Sequence, residues 1–213
     1  MKPIIFARVA DMKYYRGITD KDKPYNGGSY VANTGYAHEC YNFDPIIFDN
    51  DDQEYCLGFS QLPGYSKNGK EIELHIEKIP GCGLMGKEDK IEDVIVVFCS
   101  KACNSRNMRV VGFYKNATVF RQQQVCCFGE DEYQAYNFIA KKEDCVLLPY
   151  RERHSQGKWY VPSSNKNHSS FGFGRSNIWY AANSKNKDEI AYVNRMIECV
   201  ETHDGENWMN KEE

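Results

Sequence analysis

No apolar run in the 213 residues approaches the ~18 that a membrane-spanning helix needs. The first apolar stretch, Pro3 to Val9, is interrupted by Arg8 and is too short for the core of an export signal. A cytoplasmic location is therefore expected, and the nine cysteines are read as reduced thiols. There is no Gly-x-x-x-x-Gly-Lys-Ser/Thr loop to cradle phosphates and no Gly-x-Ser-x-Gly nucleophile turn. The five histidines are scattered, and Cys99 and Cys103 form one lone pair where structural zinc requires two. No metal and no cofactor are expected. Helical segments between strands are also missing, which argues against a parallel α/β layout.

Charge of one sign is missing locally. Lys101 to Arg121 holds five basic residues and no acidic one. Cys145 to Lys187 holds seven basic residues and a single acid, Glu152. Glu39 to Glu54 reverses this, with six carboxylates and no Lys or Arg, within a net charge of -3. Such segregation suits a basic face for a polyanion; dispersal over a solvated surface is the plainer alternative.

Strand signals dominate what is present. Pro3 to Val9, Glu54 to Phe59, Asp93 to Cys99, Arg109 to Tyr114, Thr118 to Arg121, Tyr136 to Ala140 and Cys145 to Leu148 read as strands. Glu71 to Ile76 alternates acids or His with Ile and Leu, as a half-buried strand would. Lys115-Asn116-Ala117 reads as a turn, and Arg151 to Ser170 as a long polar loop. Ile190, Val193, Ile197 and Val200 recur at helical spacing behind a cap at Ser184 or Asn186. Short helices are expected around Gln122 to Cys127 and Asp131 to Tyr136.

Aromatics make up 14% of the chain and fall beside Asn and basic residues. Four clusters stand out: Met12 to Tyr15, Cys40 to Phe43, Val111 to Arg121 and Ser176 to Ala181. Aromatic faces stack on an unpaired or flipped base while polar groups read its edge. The competing reading is that these rings are core.

Together, Asp93 to Ser100, Arg109 to Arg121, Ser176 to Ala181, the strand followed by Met12 to Tyr15, and Tyr41 to Phe43 resemble a bacterial domain family. Some of its members are joined to HNH-type nuclease or helicase-like modules. More loosely, the layout is similar to the PUA-like superfamily, including EVE and YTH domains, which place a modified base in an aromatic cage. The resemblance implies an α+β, mainly β fold: a PUA/EVE-like curved sheet or small β-barrel with peripheral helices and a C-terminal helix. It implies one domain over residues 1–201 and a flexible tail over 202–213. It also implies a reader of nucleic acid, DNA favoured over RNA, with a modified base in a pocket, in a restriction or defence setting. A nuclease or NTPase partner protein and no membrane are expected. Tryptophan is too scarce, at three residues, for the full YTH cage. Tyr and Phe must then supply the walls.

The candidate base-binding residues are Asp11, Tyr14 and Tyr15 after the first strand, Tyr41, Asn42 and Phe43 in the second cluster, and Phe113, Tyr114 and Asn116 in the third. Ser176, Asn177, Trp179 and Tyr180 come from the fourth. Arg109, Lys115, Arg121 and Arg175 are the candidate phosphate contacts. No catalytic residue is assigned. A small nuclease-type enzyme without a familiar motif, or a protein-interaction module, is the alternative.

Overall fold

The continuous apolar run at Asp93 to Cys99 sets the architecture, because a strand apolar on both sides must be covered on both sides. In a computed structural model of the chain, it lies at the centre of one mixed nine-stranded sheet. Residues 2–26, 37–49, 51–62, 73–82, 86–101, 108–129, 132–154, 156–164, 169–182 and 185–211 are described. The strands are β1 (Ile4–Arg8), β2 (Pro45–Ile47), β3 (Glu54–Gly58), β4 (Lys90–Lys101), β5 (Met108–Cys127), β6 (Tyr133–Lys141), β7 (Cys145–Leu147), β8 (Tyr160–Val161) and β9 (Ile178–Trp179). Their order is β2-β3-β6-β5-β4-β1-β9, with β7 and β8 pairing β5 off this path. The fold is mainly β, as expected. The sheet is not closed into a barrel, since β2 and β9 remain its two ends.

Alternation along β4 divides the core. Val94, Val96 and Phe98 enter one cluster, with Ile5, Ala7, Tyr15, Phe43 and Tyr114. Ile95, Val97 and Cys99 enter the other, with Ile4, Phe6, Phe113, Trp159 and Trp179. Helix α1 (Lys187–Glu201) covers the second cluster with Tyr192, Val193, Met196 and Val200. Its start matches the expected cap: the Asn186 side chain accepts from the Asp188 and Glu189 backbone N–H groups.

Where two strands were expected, β5 runs unbroken for 20 residues. Asn116 has φ 47°, but it lies within a register shift against β4 rather than in a hairpin turn. Gln122 to Cys127 continues β5 and Tyr133 to Tyr136 opens β6, so strands stand where the two short helices are expected; Asp131 lies outside the described residues. Pairing of β5 with β6 from Gln124↔Tyr136 to Cys127↔Tyr133 holds both segments extended. Of the strand expected at Glu71 to Ile76, residues 71 and 72 lie outside the described residues, and Ile76 begins a 3-10 turn. Gly112 is required by close approach, because a Cβ there would sit 2.4 Å from the Phe43 ring and 2.5 Å from the Val146 carbonyl.

Of the expected flexible tail, residues 207–211 pack against the core, and 212–213 lie outside the described residues. Trp208 and Met209 are buried in the first cluster, and Trp208 stacks on Tyr14 at 5.7 Å. Asn207 bridges β7, accepting from Leu147 N–H at 3.0 Å and donating to Cys145 O at 2.8 Å. Arg16 donates to the carbonyls of Trp208, Met209 and Lys211. Arg16→Ala should therefore destabilise the fold by about 1–2 kcal/mol. Hydrogen exchange should quicken at residues 207–211 and hold steady in β4 and β5. Unchanged exchange at 207–211 would show that Trp208 packing alone seats the tail.

Candidate functional site

β1 and β4 are the parallel pair of the sheet, with Arg8 opposite Cys99 near their carboxyl ends. Beyond that point the chain leaves β1 and reaches Asp11. In open α/β sheets, ligands bind outside the carboxyl ends of such parallel strands. Asp11 sits there, 6% exposed and bridged through its backbone to Tyr25. Its carboxylate accepts from Ser100 Oγ at 2.6 Å and from Arg109 Nη2 at 3.0 and 2.8 Å. The Tyr150 hydroxyl reaches its other oxygen at 3.4 Å. The Tyr150 ring lies 4.8 Å from the Arg109 guanidinium and is 40% exposed.

A second guanidinium lies beneath. Arg153 is fully buried and donates Nε to Leu148 O (2.8 Å), Nη1 to Met12 O (2.6 Å) and Nη2 to Lys13 O (2.7 Å). It thereby ties the segment after β1 to the segment after β7. Burial pushes its pKa down to about 10. Its own carbonyl accepts from Arg109 Nη1 at 2.7 Å. For Arg109, burial works against the charge, but Asp11 and Tyr150 outweigh it and raise the pKa. Asp22 fixes the same turn by accepting the N–H groups of Lys13, Tyr14 and Tyr15. Glu39 is buried against Ala10, whose N–H it accepts at 2.6 Å, and burial lifts its carboxyl to about 7.

Of the residues expected to form the pocket, only Asp11 and Arg109 meet here. Tyr14, Tyr15, Phe43 and Tyr114 are buried in the first cluster and Phe113 and Trp179 in the second, on opposite faces of the sheet. They do not form one cage. Trp179 stacks on Phe6 at 4.5 Å beneath α1. Asn42 is a core clamp, exchanging hydrogen bonds with the Phe59 backbone and accepting at its carbonyl from the Tyr114 hydroxyl. The Tyr15 hydroxyl donates to Ala10 O. Tyr41 is half-buried against Gly17.

The remaining candidates lie away from Asp11. Tyr180 accepts from His75 N–H, Asn177 donates to Gln61 O, and Ser176 Oγ accepts from Ile178 N–H. Asn116 donates to Asp144. Arg121 is buried and pairs internally, through Nη1 with Glu77 at 2.8 Å and through Nε with the Glu88 carbonyl. Arg109 is likewise held by Asp11. Lys115 and Arg175 remain at the surface.

Tyr25, Ser100, Tyr150 and Arg153 were not found from the sequence. The only signal was local: Tyr150-Arg151-Glu152-Arg153 follows directly on a strand closed by Pro149. Among the described residues, no group of three or more His, Cys, Asp or Glu could hold a metal ion, the cysteines are free, and no helix could cross a membrane. The protein is, at the level of class, a mainly β protein built on one open mixed sheet. No family model, curated protein or solved structure matches the chain.

Proposed function

We propose that the protein binds nucleic acid and holds an unstacked base against Tyr150 in the crevice above Asp11. The observation that carries this reading is the exposed Tyr150 ring layered on the Arg109 guanidinium over a buried carboxylate. A base requires a stacking face beside fixed hydrogen-bonding groups, and this is where the two coincide. Tyr25, 46% exposed, joins the same rim through its backbone bridge to Asp11. Exposed cations at Lys13 and Lys101 lie on the segments next to Asp11 and Ser100 and suit a phosphate backbone. DNA bearing a modified base, read in a restriction or defence setting, is the finer form of the proposal. It draws on the sequence motifs for that choice.

Tyr150→Ala should lower affinity for single-stranded or modified-base oligonucleotides ten- to a hundred-fold, the effect of losing about 1–3 kcal/mol of stacking. Fluorescence anisotropy across a salt series measures it, with a thermal melt confirming the fold. Tyr150→Phe should keep most of the affinity. Undiminished binding by a folded Tyr150→Ala protein would remove the crevice as the base site.

A further inference from the structure

The segment that delivers Tyr150 and Arg153 to the crevice continues into a second cluster of unusual polarity. Trp159, Phe113 and His203 pack ring to ring. Phe113 stacks on Trp159 at 5.9 Å, and His203 meets Phe113 and Trp159 edge-on at 5.6 and 5.8 Å. Trp159 is 2% exposed, yet its Nε1 has no partner, and neither His203 ring nitrogen has one. Buried polar atoms are nearly always satisfied, so three orphans in one contact group call for an explanation.

Two ammonium groups stand over the same rings. Lys115 Nζ is 5.9 Å from the Phe113 ring and Lys158 Nζ 5.1 Å from the Trp159 ring. Among the described residues neither makes an ion pair. Lys115 stands on β5, and the backbone of Lys158 is held by Arg195 Nη1, which donates to its carbonyl at 2.9 Å.

We propose that Lys115 and Lys158, backed by the His203 imidazole, form an oxyanion site that takes a phosphate group. This deepens the nucleic-acid reading and rests on it for the source, a backbone phosphate, since free phosphate offers the same oxygens. The charged groups around His203 are Lys158 and Lys115, which repel its proton, and Glu152 and Asp204, which attract it. Burial is the largest influence, and the net effect lowers its pKa. An anion between the two lysines reverses the local field. Phosphate binding and protonation of His203 therefore favour each other, and by linkage each strengthens the other equally.

The test is an NMR titration of the histidine ring protons between pH 5 and 8, with His203 assigned from a His203→Phe variant. The full chain is titrated in chloride, in inorganic phosphate at matched ionic strength, and with a single-stranded oligonucleotide. The His203 midpoint should rise by about one pH unit in both phosphate arms, as for a new opposite charge nearby. The rise should vanish in Lys158→Ala. A His203 midpoint that is the same in phosphate as in chloride, or a rise that persists in Lys158→Ala, overturns the site. Oligonucleotide binding that depends on Tyr150 but leaves His203 unmoved overturns this site alone. A response to inorganic phosphate without any oligonucleotide binding keeps the site and overturns the base reading.

Discussion

Replacing Arg153 by methionine should destabilise the protein by about 3 kcal/mol, although it removes a buried charge. Two effects oppose. Burial lowers the guanidinium well below its ordinary value, to about 10. Relief of that penalty returns about 3 kcal/mol at neutral pH. Against it, the carbonyls of Leu148, Met12 and Lys13 each lose a charged donor. At about 1–3 kcal/mol each, the three orphaned acceptors cost roughly twice the relief. The loss falls where the segments after β1 and β7 meet, so the crevice should open before the sheet melts. Urea unfolding gives the stability change, and Tyr150 accessibility gives its place. Arg153→Lys should lose less, since an ammonium retains the charge but cannot span three diverging carbonyls. Methionine matching the parent in stability would mean that those carbonyls find other donors.

How much of this was legible beforehand follows from what a one-dimensional pattern encodes. The central strand was legible because Asp93 to Cys99 is apolar on both sides. Helix α1 was legible because cap and period agree, although Tyr192 and Met196 bury more fully than Ile190 and Ile197. The course of β5 was not. Asn116 in a left-handed conformation serves a hairpin turn and a bulge equally well, and only pairing with β4 decides between them. The tail was missed because Trp208 and Met209 are too few to show a period, and Arg16, which holds them, lies almost two hundred residues away.

The candidate site shows the same division more sharply. Phe113 and Tyr114 look like one aromatic cluster in sequence, but adjacent residues of a strand point to opposite faces. Arg109 looked like a free cation because its counter-charge, Asp11, is 98 positions away. Composition counted the basic residues correctly and could not show which of them were already neutralised. Tyr150 escaped notice because it sits in a polar segment with no period, and its value comes from what lies beneath it.

Glu39→Gln should change how stability depends on pH more than any other single substitution near the crevice. The Glu39 carboxyl is buried beside Ala10, and burial raises it from 4.5 to about 7 in spite of the Ala10 N–H. Between those values the folded protein keeps a proton that the unfolded chain has released. Stability conferred by the protonated carboxyl is complete below pH 4.5 and is lost as pH rises towards 7, at about 1.4 kcal/mol per pH unit and about 3 kcal/mol in all. Glutamine keeps an oxygen for Ala10 and never ionises. The variant should therefore match the parent at pH 4.5 and exceed it by about 2–3 kcal/mol at pH 8. Urea titrations of both proteins at several pH values isolate the effect, because every other titrating group cancels in the difference. The carboxylate also adjoins the Asp11 turn, so its ionisation subtracts from the positive field at the crevice. Oligonucleotide affinity in the parent should accordingly fall between pH 6 and 8 more steeply than in Glu39→Gln. A difference in stability that stays flat with pH would place Glu39 in an environment where its charge is compensated, and would remove this source of pH sensitivity from the site.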